Sequence, residues 1–410
     1  MNRETSRPEG DAAPADETGE ILARAIEFHR EGRLQEAEAG YREVLRRRPQ
    51  EPTSLHMLGV LAYQAGRYDR SIALIEQARR HAPGDAGLHT NLGSALQAAG
   101  RLDEAVASYQ RALGINPDFA LACNNLGNAL RLQGRMDESV AAFRRALEID
   151  PGYTDAWVNL AVTEQAREQP EEAARCYQRA LELDPAHGPA RHMLAALRGE
   201  QTRAAPAEHV AHLFDEYASR FDRHLVDTLG YSMPALLRAE IDRLTDAAAE
   251  FDNAIDLGCG TGLAGVAFRP LVRRLSGVDL SARMIDKARE RGVYDHLRTG
   301  DIVSALQETD ESYDLFLCAD VFPYIGDVEP LFSALGARSR DNALFAFSTE
   351  HQKEGDYRLR PTGRYAHAPD YLRKMAGEHG FEVRSLRTEN LRKHRERWIE
   401  GDLVVLQYRG

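Results

Sequence analysis

Three acidic residues placed at strand ends, with alternate glycines after the first, are the groups in this chain best suited to chemistry. Asp256 opens the series in Ala254-Ile255-Asp256-Leu257-Gly258-Cys259-Gly260-Thr261-Gly262. An apolar strand that ends in a carboxylate and breaks into such a turn lets backbone amides approach a ligand with no Cβ in the way. A helix beginning near Leu263 then aims its positive end at the same point. Asp279 closes a second apolar run, 23 residues beyond Asp256, and Asp301 follows Gly300 at the end of a third. Glycine turn and strand-end carboxylates together describe the edge of a doubly wound α/β sheet, where ligands sit beyond the carboxyl ends of the strands.

The nature of that ligand turns on Asp256. Gly260-Thr261-Gly262-Leu263-Ala264-Gly265 also reads as the dinucleotide fingerprint G-x-G-x-x-G, but Asp256 would then face a pyrophosphate and repel it. S-adenosyl-L-methionine carries no phosphate, and its α-amino group and sulfonium are cations that suit a nearby carboxylate. Asp256-x-Gly258-x-Gly260-x-Gly262 resembles motif I of the class I S-adenosylmethionine-dependent methyltransferases. The resemblance implies that Asp256, Gly258, Gly260 and Gly262 hold this cofactor, with Asp279 on the ribose hydroxyls and Asp301 on the adenine amine. The other reading of Asp301 is a plain turn residue. Phe214-Asp215-x-Tyr217-Ala218-x-x-Phe221-Asp222 resembles the short helical segment ahead of motif I in the same family. There an aromatic, here Tyr217, covers the methionine end of the cofactor; aromatics at this spacing also serve a helix core.

Seven strands are expected to position these groups: Asn253–Leu257, Leu275–Val278, one near Leu297, Tyr313–Cys318, Leu344–Ser348, Val383–Leu386 and Leu403–Tyr408. Between them lie helices at Ala282–Arg291, capped by Ser281, at Val328–Ala337 and at Pro369–His379. Asp320-Val321-Phe322-Pro323-Tyr324 falls at the rim of the site. It departs from the Asn/Asp-Pro-Pro-Tyr motif of amino-group methyltransferases by an added residue and a missing proline, so it implies no amine acceptor. Arg358, Arg360, Arg364 and His367 fall in an insertion after the fifth strand, where they would hold an anionic substrate or form a solvated basic loop. Arg392, Lys393, Arg395 and Arg397 read as an exposed link between the last two strands. Methyl transfer from a sulfonium chiefly demands alignment of the reacting atoms, and a base is needed only for some acceptors. No catalytic residue is therefore assigned; His351, His367, Tyr324 and Asp320 are candidates by position alone.

The first half of the chain is periodic. Pro49, Pro83, Pro117, Pro151 and Pro185 are 34 residues apart, as are Gly32, Gly66, Gly100 and Gly134, with Glu168 in the fifth place. Gly59, Gly93, Gly127 and Ala161 recur on one helix of each unit. On its partner, Ala37, Ser71, Ala105, Ser139 and Ala173 are each followed four places on by Tyr41, Ile75, Tyr109, Phe143 or Tyr177, expected to fill the hole between repeats. This pattern resembles the tetratricopeptide repeat, over five helix pairs, and the stretch after Pro189 adds a capping helix. Asn91, Asn125 and Asn159 recur on the first helices, which in such arrays line the groove, and resemble the asparagine ladder of the O-linked N-acetylglucosamine transferase superhelix. They imply a bound protein or peptide, since side-chain amides both donate and accept; the plainer reading is a repeat consensus facing water.

The expected organisation is a disordered tail over residues 1–18, an all-α tetratricopeptide solenoid over 19–199, and an α/β Rossmann-like seven-stranded methyltransferase domain over 200–410. The tail is rich in Asp, Glu, Pro and Ala and lacks the apolar region of a signal peptide. A net charge of -12 argues against phosphate-driven nucleic-acid binding. Four scattered cysteines form no metal-ligand or disulfide pattern and suit a reducing cytoplasm, and no apolar run is long enough to span a membrane. Two functions remain: methyl transfer to an acceptor that the repeats help recruit, or an interaction scaffold whose Rossmann-like domain binds cofactor without turnover.

Overall fold

The computed structural model describes residues 17–218, 221–223, 230–245, 250–394 and 397–410; the side chains of residues 216, 217, 223, 392–394 and 397 lie outside that description. Of the expected tail, residues 1–16 are likewise outside it. The chain divides into two compact units, Met1–Leu183 and Asp184–Gly410.

The first unit consists of antiparallel helix pairs: α1 (Glu17–Arg30) with α2 (Leu34–Arg47), α3 (Pro52–Gln64) with α4 (Tyr68–His81), α5 (Ala86–Ala98) with α6 (Leu102–Ile115), α7 (Ala120–Leu132) with α8 (Met136–Ile149), and α9 (Thr154–Ala166) with α10 (Pro170–Leu183). Each intra-pair turn passes through the left-handed region, at φ of 75° for Gly32 and 79° for Gly134. Glu168 adopts the same conformation, at φ 61°, where a glycine would avoid the cost of a Cβ. The bulky residues pack inside each pair, and their buried clusters run on into the next repeat, Tyr41 with Leu58 and Tyr109 with Ala129 and Leu130. A Cβ on Gly93 would stand 2.6 Å from the Tyr109 ring, and one on Gly127 2.7 Å from Phe143. Tyr109 and Tyr177 also turn their hydroxyls to Gln97 and Gln165 of the partner helix.

Two of the repeating asparagines, Asn91 and Asn159, make bonds from one repeat to the one before. The Asn91 amide meets His56 Nε2 at 2.7 Å, and Asn159 donates to Asn124 Oδ1 at 3.0 Å. Asn124, buried, in turn donates to Asn125 Oδ1 at 3.4 Å. All three expected groove residues are half-buried, so a face turned wholly to water is not what the structure has.

In the second unit, α11 (Gly188–Arg198) occupies the stretch expected as a capping helix, and the division of the chain falls ahead of it. Ala195 and Ala196 pack on Leu359 and Tyr365, and buried His192 shares a 2.9 Å hydrogen bond between Nε2 and the Gly363 carbonyl. Next come α12 (Ala207–Tyr217), a single turn α13 (Phe221–Arg223) and α14 (Met233–Leu244). Strands β1 (Phe251–Leu257), β2 (Val272–Asp279), β3 (His296–Thr299), β4 (Tyr313–Cys318) and β5 (Ser339–His351) pair in parallel in the order β3-β2-β1-β4-β5. Helices α15 (Leu263–Phe268), α16 (Ala282–Arg291), α17 (Ile302–Glu308) and α18 (Glu329–Arg338) make the crossovers.

Beyond β5 the chain departs from a plain seven-strand pattern. The insertion forms a hairpin of β6 (Tyr357–Leu359) and β7 (Tyr365–His367), and β7 pairs in parallel with the far end of β5. Helix α19 (Pro369–Glu378) leads to β8 (Phe381–His394) and β9 (Arg397–Tyr408), with β9 running antiparallel between β5 and β8. The sheet thus counts nine strands among the described residues. The last hairpin is far longer than expected: Arg392 and Lys393 belong to its ladder, opposite Ile399 and Trp398, and Arg395 lies outside the described residues.

Alternation along the buried strands sends side chains to two cores. One face carries Leu257, Phe316, Phe345, Phe347 and Val404 against Phe322, Phe332 and Leu372; the other carries Ala254, Leu275, Leu317, Ala346 and Val405 against Leu237, Ile241 and Phe268. A side chain of this size contributes about 1.5–3 kcal/mol when fully buried. The sheet is thus a fixed floor for whatever is held at its carboxyl edge.

Candidate functional site

The glycine turn is fastened from below and left open in front. At the end of β1 the amides of Gly258 and Cys259 both donate to the Val278 carbonyl, at 2.8 and 2.9 Å, which hooks the turn over β2. Gly258 allows close approach of the rim, since a Cβ there would stand 2.2 Å from Val321 Cγ2. Gly260 is different: it holds φ 53°, and the nearest atom to a Cβ built there is the Phe221 ring edge at 4.0 Å. Space in front of an αL glycine is what a ligand needs to reach backbone amides.

Asp279 locks this turn to the end of β2. Its Oδ2 accepts from the Gly260 amide at 2.9 Å and its Oδ1 from the Ser281 amide at 2.8 Å. Burial pushes its carboxyl above the ordinary range, and the two backbone donors partly oppose that. Ser281 caps α16 by accepting from Met284 N, as expected. Asp301 is exposed and caps α17, its Oδ1 accepting from the amide and hydroxyl of Ser304 at 2.9 and 3.1 Å. One of its oxygens thus serves the turn role.

Asp256 lies beneath the turn, fully buried, and not at its open face. Its Oδ2 accepts from the Tyr294 hydroxyl at 2.6 Å, while Oδ1 has no hydrogen-bond partner among the described residues. Burial pushes this carboxyl up to about 7, with Asp279 nearby adding to the rise. Tyr294 also accounts for two of the small residues. A Cβ on Gly265 would stand 2.4 Å from the Tyr294 ring, and one on Gly262 3.0 Å from its edge. Gly265, the last glycine of the dinucleotide-like string, therefore makes room for a tyrosine.

The segment ahead of β1 grips the same edge through two carboxylates. Asp215 accepts from the Ser281 hydroxyl and from the Arg283 amide. Asp222 accepts from the Thr261 hydroxyl and from Arg291, whose Nε also donates to the Thr261 carbonyl. Tyr217 is the last residue of α12, and its side chain is outside the described residues. From this segment a row of rings crosses to the rim: Phe221 and Phe214 at 6.0 Å, then Phe214 and Tyr324 at 5.4 Å. Asp320, at the end of β4, holds φ 61° while its amide donates to Ser348 Oγ at 2.9 Å. Left-handed non-glycine residues concentrate at functional sites.

The insertion does not present its basic residues as one group. His367 is fully buried: Nε2 lies 3.1 Å from the Gly326 carbonyl, Nδ1 lies 2.6 Å from Thr349 Oγ1, and burial brings its pKa down to about 4. It belongs to the core, not to the mouth of the site. Arg360 donates to Glu350 Oε2 at 3.0 Å and Arg364 to the Tyr324 hydroxyl at 3.2 Å. Asp215, Asp222, Arg291 and Tyr294 were not singled out by sequence reasoning. The two aspartates stand inside the segment quoted for Tyr217, but no local spacing reveals partners so far along the chain.

Sheet order, the turn after β1 and the antiparallel β9 together define a methyltransferase fold. A methyltransferase-domain family matches residues 254–338, and tetratricopeptide-repeat families match 22–86, 90–154 and 130–198. The malonyl-[acyl-carrier protein] O-methyltransferase of Salmonella typhimurium is 26% identical over 201 residues, covering 48% of this chain and 76% of that one. The protein of the same description from Yersinia pestis is 32% identical over 95 residues, 23% of this chain and 35% of that one. Among solved structures, MamA is 23% identical over 39% of this chain and 94% of its own, with a TM-score of 0.37. The chain thus combines N-terminal tetratricopeptide repeats with a C-terminal methyltransferase domain. Among the described residues no helix is long and apolar enough to cross a membrane, and no cluster of side chains is arranged to hold a metal ion.

Proposed function

We propose that the second unit is a class I enzyme that takes its methyl group from S-adenosyl-L-methionine, and that the repeat array recruits a protein or peptide as substrate or partner. The observation that carries the cofactor reading is the pair of buried carboxylates at the turn, Asp279 in its wall and Asp256 in its floor. Both are pushed upward by burial. A pyrophosphate would add negative charge to a place already short of solvation, whereas a cation would relieve it. Bound there, the cofactor supplies an electrophilic methyl group on a sulfonium.

In this reading Gly258, Gly260 and Gly262 shape the turn that admits the ligand, and Asp279 uses its remaining lone pairs for the ribose hydroxyls. The uncommitted oxygen of Asp301 serves the adenine amine. Asp256 acts from below, by its charge and by fixing Tyr294. Calorimetry tests the assignment: S-adenosylmethionine or its demethylated product should bind in the micromolar range and NAD should not, and the reverse would sink it. For the array, Asn91, Asn125 and Asn159 retain donors and acceptors beyond the bonds they make within the array. Their joint change to Ala should weaken peptide capture, and undiminished capture would dismiss the ladder.

A further inference from the structure

We propose that His351, held by the buried carboxylate of Asp402, is the proton acceptor of a substrate subsite, and that this subsite takes an acceptor bearing a phenolic or enolic hydroxyl. The inference rests on the methyl-transfer reading above. Asp402 is fully buried; it accepts from Thr388 Oγ1 at 2.7 Å and its two oxygens lie 2.9 and 3.1 Å from His351 Nδ1. An ionised carboxylate only accepts, so Nδ1 carries the hydrogen and Nε2 is left as the basic nitrogen. His351 also lines a cavity of about 590 Å³, together with Lys353, Arg360, Trp398 and Ile399. A base oriented by a buried acid beside such a space has the form of a general-base site.

The cavity lies at the carboxyl end of β5, the same end of the parallel strands as the glycine turn and Asp320. Charged side chains join it to the rim. Arg360 donates to the His351 carbonyl at 2.6 Å and to Glu350; Glu350 also faces Arg364 at 3.7 Å, and Arg364 donates to Tyr324. Trp398, 46% exposed, and Ile399 give the space an apolar wall suited to a flat ring.

The acceptor class follows from the proton. A carboxylate acceptor has none to lose near neutral pH, so the histidine–aspartate pair would be idle. An amine arrives protonated, and among the charges lining the cavity Lys353 and Arg360 outnumber Glu400, so the balance opposes its approach. A phenol of pKa about 10 keeps its proton at neutral pH and needs a base. The O–H bond of the acceptor breaks, its proton passes to His351 Nε2, and the electron pair stays on oxygen, which becomes the nucleophile. Asp402 balances the imidazolium until solvent takes the proton.

The test uses the full chain, with 4-nitrophenol as probe, and reads two signals besides turnover. At a pH where the free probe is mostly protonated, wild-type protein should bind it as its coloured phenolate. Nitrogen NMR, with His351→Gln locating the resonances, should show His351 protonated at Nδ1 alone when free and at both nitrogens with the probe bound. His351→Gln should weaken binding at least tenfold and abolish the phenolate absorbance. Asp402→Asn, if it folds, should keep the cavity and lose the proton transfer; if it does not fold, the glutamine variant carries the test. A merely structural histidine would leave probe affinity and absorbance unchanged, and a hydrogen on Nε2 in the free protein would equally overturn the proposal. Cofactor calorimetry on the same samples separates the two claims. Cofactor binding without phenol binding ends the subsite alone; phenol on His351 without cofactor binding ends the methyl-transfer reading.

Discussion

Asp279→Asn tests the glycine turn most sharply, because the change keeps shape while reversing one polarity. The carboxylate accepts from two backbone amides, Gly260 at 2.9 Å and Ser281 at 2.8 Å. An asparagine offers one oxygen and one NH₂ group, so in either orientation an amide hydrogen meets another donor. One charge-assisted bond, roughly 1.5–3 kcal/mol, is lost, and a buried donor left without a partner costs about 1–3 kcal/mol more. Alanine loses both bonds but opens room for water to satisfy the amides. From the hydroxyl-binding role alone, asparagine would rank between wild type and alanine. With the two backbone bonds included, it falls level with alanine or below. If about 2–4 kcal/mol of this reaches the bound state, S-adenosylmethionine binds about 30- to 1,000-fold more weakly. Titration calorimetry on the three proteins reads the affinities, and thermal melting shows whether the fold remains. An asparagine variant with wild-type affinity would refute the claim that Asp279 holds the turn.

Other expectations concern the floor, the core and the array. Tyr294→Phe removes the donor to Asp256 and should cost about 1–3 kcal/mol by urea unfolding; an unchanged midpoint would show that the hydrogen bond is idle. His367 has its pKa brought down from 6.5 to about 4, so its contribution is whole above 6.5 and fades as pH falls through 4. That is a stability slope of about 1.4 kcal/mol per pH unit. Asp256, raised from 3.8 to about 7, gives the opposite slope, losing stability as pH rises over that span. The two oppose each other between pH 4 and 6.5, so Asp256→Asn should gain stability with rising pH there more steeply than wild type; parallel profiles would contradict the assignment. Glu168→Gly should relieve a left-handed turn and stabilise the array by about 1 kcal/mol, and a lowered melting temperature would argue that the glutamate's own contacts outweigh that strain.

What could be read from the sequence divides by range. The repeats were legible because one unit is written five times, so even the turn at Glu168 could be placed where its glycine is missing. Strands β1 and β4 were legible because buried parallel strands are continuously apolar. The hairpin of β6 and β7 was not: each strand is three residues long, and both owe their form to pairing that begins on β5. His367 looked like a basic loop residue because nothing local announces burial behind Phe322 and Tyr371. Its neutrality depends on Thr349 and Gly326, each distant in sequence. Asp256 shows the reverse difficulty: its place in the motif was plain, but Tyr294, which determines which way the carboxylate turns, lies beyond the whole of β2 and α16.

The paired grips of Asp215 and Asp222 make the chain ahead of β1 and the glycine turn a single cooperative body. One carboxylate holds the start of α16 and the other holds Thr261 within the turn itself. Whatever orders the turn must therefore tighten the preceding segment by the same free energy, since coupling between two sites is reciprocal. A ligand seated on Gly260 would be felt by a protease working on α12. Occupancy could then be followed by cleavage rate, with no knowledge of the acceptor.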